Sequence, residues 1–216
     1  AEQVILPFLR SRGVRRIDRL VVSHADLDHS GGAAILQDRF EVGFVIAGEP
    51  IPGIRAWQCR SRRAWWSGAV RFEILHPSTP LDDDGNDASC VIRISAGRYS
   101  LLLTGDIEAR SERELLAREA ELGANVVIVP HHGSLTSSSL PFVNSVSPGI
   151  AVVSAGFGNR WAFPRPPVVA RWRGTGAEVL NTAEAGAIFV RLCADRGVVD
   201  VELERQHRRR FWHAGN

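Results

Sequence analysis

The 216-residue sequence has no lysine, no methionine, one tyrosine and only three cysteines. All 26 basic side chains are therefore arginine, a group suited to bidentate contacts with carboxylate or phosphate, although a GC-rich genome is the plainer cause of the skew. Cys59, Cys90 and Cys193 are too few and too scattered for a disulfide framework or a thiolate metal site. They read as buried thiols and leave the redox compartment open. No apolar run reaches the roughly 18 residues that a membrane span needs, and no basic-then-apolar leader opens the chain, so neither a spanning helix nor a signal peptide is expected. The first residue is alanine and methionine is missing, which suggests a fragment of a longer protein. With 44% hydrophobic and 23% charged residues and a net charge of +2, the chain has the profile of one soluble globular domain. Disorder, collagen and coiled coil are excluded.

Short strand-like apolar runs alternate with amphipathic helical stretches from end to end, which predicts one α/β domain over 1–216. Helices are expected over 4–12, 31–39, 108–121, 137–146 and 167–173. Strands are expected over 17–22, 42–46, 70–75, 90–95, 99–104, 126–129, 150–154, 177–180, 187–192 and 198–203. The turn Ala96-Gly97-Arg98 predicts a hairpin. The segment 51–68, holding Pro52, Gly53 and three tryptophans, reads as irregular.

The chemistry concentrates at strand ends. Leu20-Val21-Val22 runs into Ser23-His24-Ala25-Asp26-Leu27-Asp28-His29-Ser30-Gly31-Gly32, four potential metal ligands within six positions. A polar loop capped by Ser30 would explain Ser30 but not two histidines and two aspartates. Leu101-Leu102-Leu103-Thr104-Gly105 ends in Asp106, and the run over 126–129 ends in Pro130-His131-His132-Gly133-Ser134. Taken alone, Asp106 would be a helix N-cap, and one of two adjacent histidines is often merely solvated. Three such ends in one α/β domain instead favour a dinuclear site.

These stretches resemble the metallo-β-lactamase superfamily, and more narrowly the C-terminal domain of ComEC-type DNA-uptake proteins of natural competence. The narrower likeness is carried by Leu6-Pro7-Phe8-Leu9-Arg10, Asn86-Asp87-Ala88-Ser89, Asn159-Arg160-Trp161-Ala162-Phe163-Pro164 and the stretch from Asn181-Thr182 to Ile188. The resemblance implies an αββα sandwich with two divalent metal ions at the sheet edges. His24 and Asp26 would hold one ion, Asp28 and His29 the other, and Asp106 would bridge them. His131, by a slight margin over His132, would complete the second site. Asp28 and His132 would act in catalysis, while Asn86, Ser89, Ser134 and Asn159 would meet substrate. Members usually carry histidine where Asp26 stands, so the site is harder and shifts the expectation from Zn2+ toward Mn2+. The superfamily histidine preceding the bridging aspartate has no clear counterpart, since Asn86 lies nearest its slot and His76 reads as a turn residue. The superfamily's opening strand hairpin has no match either, which predicts an exposed sheet edge.

By resemblance the chain would be a phosphodiesterase or nuclease that degrades one strand of incoming DNA. It would work in cis with a membrane channel at the inner membrane, on the periplasmic or extracellular side. The alternatives are a non-catalytic DNA-guiding module with a degenerate site and a hydrolase of small esters or lactones. Arg55, Trp57, Arg60, Arg62, Arg63, Trp65 and Trp66 interleave groups able to hold a single strand, unless the tryptophans fold over the core. The tail from Arg205 to His213, with Arg208-Arg209-Arg210 and Phe211-Trp212, would touch nucleic acid or anionic lipid unless it is a frayed end.

Overall fold

The computed structural model describes residues 1–79, 85–118, 120–193 and 198–207. The Arg208–Trp212 stretch therefore lies outside the described residues. The chain opens with α1 (Ile5–Ser11) and β1 (Arg16–Val22), then α2 (Leu27–Ser30), α3 (Ala33–Arg39), β2 (Glu41–Ala47) and β3 (Trp57–Gln58). Next come β4 (Ala64–Ser67), β5 (Val70–His76), β6 (Val91–Ala96), β7 (Tyr99–Leu103) and α4 (Ala109–Ala117). The remaining elements are β8 (Val126–Ile128), α5 (Leu140–Val146), β9 (Ile150–Val153), α6 (Pro166–Gly174), β10 (Glu178–Asn181), α7 (Thr182–Ala185), β11 (Ile188–Cys193), β12 (Val198–Leu203) and α8 (Glu204–His207).

Two sheets pack face to face. A parallel sheet of order β1-β2-β3 lies against a mixed sheet of order β10-β9-β8-β7-β6-β5-β4, antiparallel from β4 to β7 and parallel from β7 to β10. Ile74, Ile92, Cys59 and Cys90 fill the space between the sheets with Val21 and Ile46. The outer face of the small sheet buries Val22 and Ala47 against Ala33 of α3. The far face of the large sheet buries Leu102, Val127 and Val153 against Leu115 of α4, Phe142 of α5 and Trp172 of α6. The result is the expected αββα sandwich. β1 stands at the edge of its sheet, and Arg16 and Asp18 on it are both exposed, the charged guard that edge strands commonly carry.

Three readings need correction. Cys59 and Cys90 are disulfide-bonded across the two sheets, with Cα atoms 5.9 Å apart. Their 31-residue separation hid this, because sheet packing rather than local spacing makes them neighbours. The segment 51–68 is not wholly irregular: it supplies β3 and β4, and β4 pairs antiparallel with β5 through a turn at Gly68. As the outermost strand of its sheet, β4 lacks the apolar alternation that would have marked it. The helix expected over 108–121 closes at Ala117, after which Leu122 and Ala124 enter the core.

Candidate metal centre

The parallel strands β7, β8 and β9 all end on one side of the large sheet, and β1 delivers its loop to the same place. Close approach of these ends requires positions without side chains. A Cβ on Gly48 would stand 2.1 Å from the carbonyl oxygens of Ser23 and Ala88, and one on Gly105 (φ +55°) would meet Ser89 Cβ at 2.7 Å.

Around that junction the structure gathers two sets of donor atoms, His24–His29–Asp106 and Asp28–His29–His132, each set within 4.8 Å of one another. His29 Nε2 lies 3.3 Å from Asp106 Oδ1, while His132 Nε2 lies 3.3 Å from Asp106 Oδ2 and 3.4 Å from Asp28 Oδ2. The two oxygens of Asp106 thus face two different imidazoles. His24 Nε2 is fully buried and has no hydrogen-bond partner among the described residues, its nearest carboxylate oxygen being Asp26 Oδ2 at 3.5 Å. A buried nitrogen left without a partner costs about 1–3 kcal/mol, so this atom is suited to a ligand. Ser23 Oγ and Ser89 Oγ sit 3.1 and 3.2 Å from His24 Nδ1, and Ser89 Oγ also accepts from Asp106 N–H. With Nδ1–H donating to a serine, Nε2 is free to bind metal. On the same logic, His132 Nδ1–H donates to Ser154 O at 2.8 Å, which fixes the tautomer and aims Nε2 into the cluster. Imidazole nitrogens and carboxylate oxygens in these numbers fit a pair of divalent transition ions.

The electrostatics agree. Burial and the nearby His29 push the His24 imidazole below its ordinary value, favouring the neutral form that coordinates metal. Burial alone would raise the Asp106 carboxyl, but hydrogen bonds from His132 and His29 outweigh it and hold the group well below the usual carboxylate range. The bond to Asp106 raises His132 to about 9. In metal-free protein the raised His132 therefore contributes stability that is full below pH 6.5 and lost as pH climbs through 9. The depressed Asp106 contributes above its ordinary 3.8 and loses that contribution as pH falls further. Thermal melts in chelator should therefore show a Tm that declines between about pH 6.5 and 9. A Tm that rises across pH 7–9 would contradict the ion pair.

Of the two adjacent histidines, the structure brings His132 rather than His131 into the donor clusters. Both residues adopt left-handed backbone conformations, at φ 48° and 53°, so their rings part instead of alternating as in a strand. His131 Nδ1 faces Glu108 Oε1 at 3.1 Å and Thr136 Oγ1 at 3.2 Å. Asp26, Asp28, Asn86, His131 and Asn159 all line one cleft of about 480 Å³ beside Asp106. Ser89 is fully buried, its hydroxyl held between His24 Nδ1 and the Asp106 backbone N–H. Ser134 is buried in its own turn, against Thr136. His76 ends β5 fully buried and pairs with the carbonyl of Asp87, away from the cluster.

Two carboxylates escaped the sequence reading. Glu49, two residues beyond β2, accepts from Ala25 N–H at 2.7 Å and braces the His24–Asp26 loop. Glu108 holds His131, Thr136 and Asn86 together. A carboxylate just past a parallel strand was the available signal for Glu49.

The family model of the metallo-beta-lactamase superfamily matches residues 1–156. The chain belongs to that superfamily. Competence protein ComA of Neisseria gonorrhoeae is 41% identical over 189 residues, covering 87% of this chain and 27% of that protein. Recombination protein 2 of Haemophilus influenzae is 38% identical over 221 residues (99% and 27%), and ComE operon protein 3 of Bacillus subtilis is 30% identical over 205 (88% and 26%). The narrower resemblance to ComEC-type proteins is thereby borne out. The chain spans about a quarter of the length of these curated relatives. Among solved structures a mutant of CmlA beta-hydroxylase has a TM-score of 0.50 at 14% identity, covering 77% of this chain and 43% of that one. At that identity it shares the superfamily fold alone. No helix among the described residues is long and apolar enough to cross a membrane.

Proposed function

We propose that residues 1–216 form the metal-dependent nuclease domain of a longer competence-type protein, cleaving phosphodiester bonds in DNA. The observation that carries this reading is the pair of donor sets sharing His29 and opening on one cleft, in a chain 41% identical to a protein named for competence. Two divalent ions, manganese or zinc, would supply an activated water and charge to clamp the phosphoryl group. His24, Asp26 and Asp106 would hold one ion, and Asp28, His29, His132 and Asp106 the other.

His131, oriented by Glu108 and Thr136, would donate a proton to the departing oxygen. Its role and that of His132 are thus the reverse of the sequence expectation. Asn86 lines the cleft beside them and would contact the substrate backbone. The buried disulfide between Cys59 and Cys90 favours an oxidising compartment, hence the outer side of the inner membrane, where DNA arrives as a duplex.

The test is cleavage of end-labelled single- and double-stranded DNA in manganese, in zinc and in chelator. Three carboxylates among the ligands should make manganese the better activator, while zinc binds more tightly. Absence of cleavage with either metal, with binding of DNA retained, would favour the guiding module over the nuclease.

A further inference from the structure

The loop 156–163 lends Gly156, Asn159, Trp161 and Phe163 to the wall of the cleft beside Asp106. Asn159 spends its whole side-chain amide within the loop: Nδ2–H donates to Gly156 O at 3.0 Å and to Phe163 O at 2.7 Å, and Oδ1 accepts from Phe163 N–H at 2.9 Å. The Asn159 carbonyl also accepts from Ala162 N–H, and Ala162 is held at φ +54°, a conformation non-glycine residues adopt only where their surroundings impose it. Asn159 is therefore a clamp, and what it fixes in place is Arg160 and Trp161.

Trp161 is 54% exposed and belongs to none of the apolar clusters that hold the sheets and helices together. Its ring lies 6.4 Å from Phe163 at an interplanar angle of 12°. Phe163 lies 6.4 Å from His132 at 23°, and meets His131 edge-on at 5.9 Å. The Arg160 guanidinium carbon stands over the Trp161 indole, 4.3 Å from the ring centre. A run of planar groups thus leads from solvent to the candidate metal ligands. A large, half-exposed aromatic at the rim of a polar cleft contributes little to folding, and the clamped backbone that carries it leaves less to order when a planar ligand arrives. The cleft below carries the carboxylates of Asp26, Asp28 and Asp106, so Arg160 brings positive charge to its rim.

We infer that Arg160 and Trp161 form a nucleobase subsite. The base next to the scissile phosphate stacks on the indole, taking the place of the exposed Arg160 guanidinium, which swings off the ring to meet an adjoining phosphate. Within a duplex the faces of each base are covered by its neighbours, so the subsite favours a strand with at least one unpaired, unstacked base at the cleft. The inference rests on the nuclease reading and extends it to the form of the substrate.

The experiment measures the Kd of fluorescein-labelled dT12 by anisotropy, in chelator so that nothing is cleaved, beside a labelled oligonucleotide of equal length built from abasic residues. Trp161→Ala should weaken dT12 binding roughly 5- to 150-fold, the range for loss of one base–aromatic stack, and Trp161→Phe should retain most of the affinity. Wild-type protein should prefer dT12 to the abasic strand, and Trp161→Ala should shrink that preference by the same factor by which it weakens dT12. An unchanged Kd for Trp161→Ala, or equal binding of both strands by wild type, overturns the subsite. The wild-type arm remains decisive even if a variant fails to fold. Metal-dependent cleavage is scored separately: stacking without cleavage would sink the nuclease and keep the subsite, while cleavage indifferent to Trp161 and to the base would do the reverse.

Discussion

Asp28→Ala should lower DNA cleavage by well over 100-fold while leaving the fold almost untouched. The side chain is 66% exposed, and its contacts are to His132 Nε2 at 3.4 Å and His29 Nε2 at 3.8 Å, both within the donor cluster. Surface substitutions of this kind change stability by no more than about 0.5 kcal/mol. Loss of a partner merely hydrogen-bonded to a ligand costs 10- to 100-fold in metal affinity or activity, and loss of a ligand itself should cost more. Asp106→Ala makes the contrast. That carboxylate is 7% exposed and holds both His29 and His132, so its removal would take from two partly buried imidazoles their shared hydrogen-bond partner and reduce stability as well as activity. Metal content, turnover and Tm measured on both variants separate the two cases. Wild-type turnover by Asp28→Ala would remove Asp28 from the mechanism.

Breaking the Cys59–Cys90 bond should produce the largest loss of stability. It closes a loop of about 31 residues between two sheets, and in the chain-entropy account such a loop is worth about 3–4 kcal/mol. For a chain of this size that corresponds to a fall in Tm of roughly 10 °C. The damage should extend to the site, because Cys90 follows Ser89, whose hydroxyl lies between His24 and the Asp106 backbone. Melts of the Cys59→Ala/Cys90→Ala double variant, and of wild type with and without reductant, would measure this. An unchanged Tm in all of them would show that sheet packing alone carries the stability there.

What the sequence disclosed followed from how local each signal was. His24 to His29 occupy six positions after one apolar run, so spacing alone marked them, and the strands leading to Asp106 and His131 stood out in the same way. The choice between His131 and His132 did not, because it depends on two consecutive left-handed residues that composition does not announce. Glu49, Glu108 and the Ser154 carbonyl escaped for a different reason: each acts on a residue more than twenty positions away. The disulfide belongs with them. The strand Ala64–Ser67 was lost to its own exposure, since β4 borders solvent and carries two tryptophans where a buried strand would alternate.

The left-handed pair at His131 and His132 has an evolutionary consequence. Two neighbouring side-chain-bearing residues at positive φ each cost about 1 kcal/mol or more, a cost glycine would not incur. The fold would be steadier with His131→Gly, provided turnover were of no account. Lineages that retain this domain after losing the need for its chemistry would therefore be expected to drift to glycine or asparagine at position 131 before the surrounding strands change, while His132 stays tied to Asp106.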